Sequence, residues 1–329
     1  MTWLFSVLLA ADVSGASIVE AAREPLRYET LSEPADTSRA NGEDALAQYR
    51  RAPRKDEGLL LAVRALLNTG EMDDAWDLVE DHPAPSTTHA FFKAKLEAIN
   101  ANLAISGSLG KLKWAKRLRS HCANQVSNVP DDEDALECLA KFHARAPSIA
   151  GGDKAVSQTS LAALERLNAP RAKLVAAELV FREDPDAARA LVDDAMGFGD
   201  VYDPGLLQAA MVYGYFKDWD EAQAVLARIP EGSELSGMRH YQMGKLAAEH
   251  GEKLSEGEQA LLTFLTSQTR HLGVDFRGPA HWRLGQIFVH KERYGLANQA
   301  FKAALRYNPK LKQAKKDLKK LRALRDKQG

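Results

Sequence analysis

The stretch Gly278–Pro309, GPAHWRLGQIFVHKERYGLANQAFKAALRYNP, decides the fold class. Leu284, Gly285 and Phe288 fall within one helical span, Ala297, Phe301 and Ala304 within a second, and Pro309 stops the second. Between the spans lies the polar turn around Lys291–Arg293. Small residues at Gly285 and Ala297 allow two helices to cross closely. Phe288 and Phe301 fill the space around the crossing, and Ala304 admits the next helix. Such a pair leaves an apolar side open, so it calls for neighbours of the same kind.

Neighbours are present. Gly244 lies 41 residues before Gly285, in RHYQMGKLAAEHG, and Ala210 lies 34 residues before Gly244, in LLQAAMVYGYFKDWDEAQAVLARIP, where Tyr213, Ala222 and Leu226 take the aromatic, small and large positions. Leu59–Pro83 gives another helix–turn–helix with Ala75 at its crossing, and Arg171–Met196 repeats the scheme with Ala176 and Ala188. The seven residues Leu284, Gly285, Phe288, Ala297, Phe301, Ala304 and Pro309 match the tetratricopeptide repeat, with His281 where a large residue is usual and Trp282 just after it. The resemblance implies an all-α solenoid of antiparallel helix pairs, five to six repeats over 42–309.

Short breakers such as Thr69-Gly70, His82-Pro83, Ser106-Gly107, Ala169-Pro170 and Asn308-Pro309 separate the amphipathic stretches, and no period-2 run is convincing. Residues 310–329 are basic. From Lys310 to Lys327 there are nine Lys or Arg and two Asp, while Leu311, Ala314, Leu318, Leu321 and Leu324 make one apolar stripe. A solenoid needs a terminal helix with one polar face, and the segment reads as that cap; the alternative is a basic patch for phosphates.

At the other end, Trp3–Ala11 is apolar but too short to span a bilayer, and Ser14-Gly15-Ala16 has small-x-small character. Residues 1–22 read as a signal peptide without a basic n-region, the alternative being a buried N-terminal helix. Residues 23–41 are polar, contain proline and lack a period, so they read as a flexible leader. The two cysteines, Cys122 and Cys138, lie symmetrically about Pro130, in a polar turn. Across a hairpin there they would lie level, as a disulfide needs; the other reading is two small apolar residues on facing helices.

A more specific likeness lies at Leu109–Ala155. Gly110, Lys111, Leu112, Lys113, Ala115 and Lys116, then Ala135, Leu139 and Phe142, then Ala146, Pro147, Ile149, Gly151, Gly152 and Lys154 resemble the shared motif of a group of exported bacterial tetratricopeptide proteins. The resemblance implies the fold and an envelope location, and nothing about chemistry. The chain departs from the motif at His143, where the group carries an aromatic such as Tyr, and in its cysteine pair. Read physically, Pro147 ends a helix, Gly151-Gly152 permits positive φ and Asp153 caps the next helix. An anion cradle at that turn is the weaker reading.

Catalytic patterns are missing. There is no phosphate-binding Gly-x-x-x-x-Gly-Lys, no dinucleotide fingerprint, no His-Glu-x-x-His, no Cys-x-x-Cys and no Gly-x-Ser-x-Gly. His281 and His290 are too far apart in phase for a metal pair. The chain is therefore expected to have no catalytic, cofactor or metal site. With 44 Lys and Arg against 45 Asp and Glu, net charge −1, no overall attraction for nucleic acid arises, and no transmembrane segment is expected in the mature chain.

What remains is a protein-binding groove. In tetratricopeptide superhelices the first helix of each pair lines the concave side, and repeat phase assigns Lys141, Arg145, Met211, Tyr215, Tyr241, Lys245, Trp282, Gln286 and His290 to it. Rings with interleaved cations suit an extended peptide bearing carboxylates. The expected function is a non-catalytic scaffold in the bacterial periplasm. The alternatives are a cytoplasmic adaptor and an envelope enzyme of lytic transglycosylase type. For the latter, the array running almost to Gly329 would leave no room for a catalytic domain.

Overall fold

The computed structural model describes residues 37–51, 55–83, 87–266, 270–271 and 274–326. The stretch read as a signal peptide and most of the leader lie outside the described residues. The leader reading also reached 37–41, where the chain is already helical: α1 runs Thr37–Arg51. Extending an existing helix costs far less than nucleating one, and nothing in 37–41 stops it.

Two compact bodies divide the chain. The first comprises residues 38–216 together with 270–274. It holds α1, then α2 Asp56–Thr69, α3 Met72–Glu80, α4 His89–Ile105, α5 Ser108–Asn128, α6 Glu133–Arg145, α7 Lys154–Leu167, α8 Ala169–Val180, α9 Pro185–Met196 and α10 Asp203–Phe216. Helices α2/α3, α4/α5, α6/α7 and α8/α9 pack as consecutive pairs, and the second helix of each also packs on the first of the next.

The starts and stops follow local chemistry. Thr88, Asp132, Asp153, Asn168 and Asp184 each accept a hydrogen bond from a backbone N–H of the helix they precede, for example Asp132 Oδ1 from Ala135 N at 3.0 Å. Gly70 closes α2 in the left-handed conformation at φ 91°. Ala75 is fully enclosed as expected, within a cluster of Leu59, Val63, Leu67, Trp76, Ile99 and Trp114. On α8 the register is one residue off: Ala177 is enclosed, whereas Ala176 is only half-buried.

The second body comprises 217–269 and 275–329, with α11 Trp219–Ala227, α12 Ser236–His250, α13 Leu254–Thr266, α14 Arg277–His290, α15 Tyr294–Tyr307 and α16 Lys312–Asp326. Here α12/α13 and α14/α15 pair, and α16 lies against α15. Six helix pairs thus pack within the described bodies. A Cβ placed on Gly285 would sit 2.5 Å from Phe301 Cδ1, so this crossing demands glycine. Leu311, Ala314, Leu318 and Leu321 are buried, and Trp282 Nε1 donates to Asp317 Oδ2 at 2.8 Å, so α16 closes the end of this body with its charged side outward. Strands β1 Arg270–His271 and β2 Val274–Asp275 form the only ladder among the described residues.

Candidate functional site

The face carried by the first helices of the pairs is where the sequence places a ligand. In the first body its most developed part lies on α6, α8 and α10. Lys141 Nζ of α6 meets Glu137 Oε1 at 2.5 Å and Glu178 Oε2 of α8 at 2.6 Å, and Arg145 pairs with the other oxygen of Glu178. Arg171 of α8 reaches back to Glu137 at 2.7 Å through Nε and to Asp134. Tyr202, just before α10, donates its hydroxyl to Glu137 at 3.1 Å, and its ring lies under the Arg171 guanidinium at 4.5 Å.

Charge settles which protons stay. Burial alone would push the Glu137 carboxyl up, but the Lys141 and Arg171 charges and their hydrogen bonds bring it down to about 2. Burial likewise opposes ionisation of Glu178 and Lys141, and in both the opposite charges win: Glu178 is lowered by Lys141 and Arg145, and Lys141 is raised by Glu137 and Glu178. Glu137, Glu178 and Lys141 are all charged at neutral pH, while burial and the Glu137 carboxylate push the Tyr202 hydroxyl up and keep it protonated.

The pattern recurs at the repeat period. Arg64 grips Glu97 in a fork at 2.7–3.1 Å, 33 residues apart. The separations are 34 for Glu137–Arg171 and 33 for Arg145–Glu178. In the second body Arg283–Glu249 is separated by 34 residues and Lys291–Glu258 by 33. Residues one repeat apart lie side by side on stacked helices, so an acid one period from a base becomes its partner. That spacing was readable in the sequence and was the missed signal. Lys141 and Arg145 were expected to meet a ligand's carboxylates, and the chain already supplies those carboxylates.

The other expected groove residues divide. Tyr215 of α10 is 46% exposed, edge-on to Phe181 at 5.0 Å, and Met211 is half-buried one turn earlier. Tyr241 and Trp282 are interior residues, at 5% and 4% exposure, and this corrects their assignment to a surface. Tyr241 packs among Phe264 and Phe276, with centroids at 5.5 and 5.1 Å. Helix α14 contacts α12, α13 and α15, which leaves little of it open. Lys245 is half-buried, and burial, with Arg283 nearby, holds its ammonium below the usual lysine range against the pull of Glu249. Gln286 Oε1 accepts from Arg283 Nη1 at 2.9 Å, and His290 Nε2 lies 3.0 Å from the Ala248 carbonyl oxygen. His290 thus ties α14 to α12, as does Arg283 through Glu249 Oε1 at 2.6 Å.

Cys122 of α5 and Cys138 of α6 are joined as a disulfide, with Cα atoms 6.1 Å apart. The Gly-Gly turn matches its reading closely: Gly151 has φ 89°, a Cβ on Gly152 would run into the Ala146 carbonyl, and Asp153 caps α7. Sequence reasoning missed one buried relay. Tyr49 Oη and His82 Nδ1 are 2.8 Å apart, His82 Nε2 and Asp56 Oδ1 also 2.8 Å, and Thr88 donates to Asp56 Oδ2 at 2.5 Å. Burial raises the Tyr49 hydroxyl, and Asp56 and Asp81 raise it further. That is the opposite of an activated nucleophile; the relay ties α1, α2 and the α3–α4 connection together.

Among the described residues no group of three or more His, Cys, Asp or Glu is placed to hold a metal ion, and no helix is long and apolar enough to cross a membrane. No family model matches the chain, and no curated protein matches it. Among solved structures it is similar to a chain of the crystal structure of the APC/C hetero-tetramer Cut9-Hcn1, at 17% identity, TM-score 0.50 and 87% coverage of this chain. It spans 53% of that chain's length. The P58(IPK) TPR domain matches at 15% identity over 87% of this chain and 83% of that one, with TM-score 0.33. The Cut9-Hcn1 likeness, together with the helix pairing, shows a tetratricopeptide-type helical solenoid.

Proposed function

We propose that the protein is a non-catalytic scaffold of the bacterial periplasm that holds a peptide or protein segment on the face of its first helices. One observation carries this: stacked helix pairs present a broad face on which the ions neutralise one another and Tyr215 stands open. A neutralised face leaves no unpaired charge for a bound segment to bury, and an exposed ring gives that segment an anchor. Met211 supplies adaptable apolar area beside it, and Arg145, half-exposed, offers a hydrogen-bond donor at the rim. Periplasmic location is supported by the Met1–Ala22 reading and by a cysteine pair suited to an oxidising compartment. A tetratricopeptide-type fold implies protein partners; a cytoplasmic adaptor would share this face and differ in processing.

The test is site-specific photo-crosslinking in cells of the native host, with a photoreactive residue at Tyr215 and a control at Lys302, which is exposed on the second helix of its pair. Discrete adducts from position 215, absent from 302, are expected. The same adducts from both positions, or none from 215, would remove the binding face. Intact mass with thiol labelling tests the location: cleavage within the first 22 residues and two protected thiols are expected, whereas an unprocessed chain with two free thiols would return it to the cytoplasm.

A further inference from the structure

Helix α5 carries an unbalanced charge. Its 21 residues carry Lys111, Lys113, Lys116, Arg117 and Arg119 and no Asp or Glu, in a chain whose cations and anions balance at 44 to 45. In the recurring ion pairs described above, cations meet carboxylates one repeat away. Arg117 instead lies over the rings of Trp76 and Trp114, at 4.4 and 4.6 Å, and Arg119 lies against Gly151. Lys111, Lys113 and Lys116 are exposed, and among the described residues no carboxylate pairs with them.

The same helix exposes leucines. Leu109 is 88% exposed and Leu112 is also open. Leu109, Leu112, Lys113 and Lys116 stand at i, i+3, i+4 and i+7, which puts them on one side of the helix. Trp114, Cys122 and Gln125 are buried on the opposite side. Ile105, in the last turn of α4, is 58% exposed. The turn Ser148–Ala150, which packs on α5, carries the exposed Ile149. Among the described residues of the first body nothing covers this stripe.

We propose that this stripe docks the protein on an anionic lipid surface, with Leu109 and Leu112 entering the headgroup–acyl boundary and Lys113 and Lys116 among the lipid phosphates. Aliphatic side chains gain nothing from nucleic-acid phosphates, and the stripe has no aromatic to stack on a base. Lysine is a hydrated point charge that needs no fixed geometry, which suits mobile headgroups. The helix would lie on the membrane and not cross it. Such docking would hold the array at a bilayer while the first-helix face remained available.

The test is vesicle flotation of the full chain with phosphatidylcholine vesicles, with and without phosphatidylglycerol. The apolar run Trp3–Ala11 is common to all variants and its binding does not need anionic lipid, so the readout is the excess on anionic vesicles. That excess should be lost at raised salt. Each lysine near such a surface is worth about fivefold in partitioning, so Lys113→Gln/Lys116→Gln should lower it ~25-fold. Leu109→Ser/Leu112→Ser should lower it about tenfold. Both sets lie on an exposed surface and should leave the circular dichroism unchanged. No excess on anionic vesicles, or an excess that survives either set, would overturn the proposal. So would binding of a fluorescent DNA duplex that depends on the lysines, ignores the leucines and occurs without vesicle binding.

Discussion

Gly285→Ala and Gly295→Ala are the same chemical change in neighbouring helices, and the structure assigns them opposite signs. Alanine stabilises a helix interior by about 1 kcal/mol over glycine, so propensity alone favours both. At Gly295, in the first turn of α15, nothing lies within 4 Å of the added carbon, and a gain of ~0.5 kcal/mol is expected. At Gly285 the new Cβ would sit 2.5 Å from Phe301 Cδ1 and 3.0 Å from its Cζ. Ordinary carbon contact needs about 3.5 Å, so either the ring or one of the two helices must move by ~1 Å. Phe301 is among the largest fully buried side chains and cannot swing into solvent. Overpacking of this kind costs about 1–3 kcal/mol, which outweighs the propensity gain. Gly285→Ala should therefore be less stable than the parent by ~1 kcal/mol or more, and less stable than Gly295→Ala by ~2 kcal/mol. Urea denaturation monitored by far-ultraviolet circular dichroism reads this directly. If Gly285→Ala proves as stable as Gly295→Ala, the close α14–α15 crossing inferred from the repeat is wrong.

Two more outcomes concern the first body. The disulfide spans 16 residues, and closing a loop of that size restricts the unfolded chain by about 3 kcal/mol; reduction, or Cys122→Ala/Cys138→Ala, should lower the urea midpoint accordingly, and an unchanged midpoint would mean the bond constrains nothing. Glu137 is held at about 2 against an ordinary 4.5, so as the pH falls the unfolded chain takes up its proton first. The stabilisation is whole above about 4.5 and drains away between 4.5 and about 2, so stability should fall across that window. Glu137→Gln should cost ~3 kcal/mol at neutral pH, because Lys141 and Arg171 lose a buried partner, and should flatten the acid limb. A limb as steep as the parent's would show that Glu137 is not the group titrating.

Much of the architecture is legible in a single repeat. The positions of Leu284, Gly285, Phe288, Ala297, Phe301, Ala304 and Pro309 specify two helices, their crossing and their stop, because those are properties of residues a turn or two apart. The same local logic places the cap at Asp153, the turn at Gly151-Gly152, the terminal helix with its stripe of Leu311, Ala314, Leu318 and Leu321, and the level pairing of Cys122 with Cys138.

Surface properties are not local, and there the sequence reading stops. Repeat phase assigns Tyr241 and Trp282 to the open face, but Phe264 and Phe276 close over one and α16 approaches the other. Lys141 and Arg145 look available until α8 brings Glu178 alongside, and Tyr49, His82 and Asp56 form a relay only because α1 and the α3–α4 connection meet at α2. By itself the sequence determined the helix pairs and their spacing, since hydrophobic period and small-residue placement are written along one chain. Which charges are satisfied, which rings are buried and which stripe is left open were decided by the tertiary structure, because each depends on what the next helix carries to the same place.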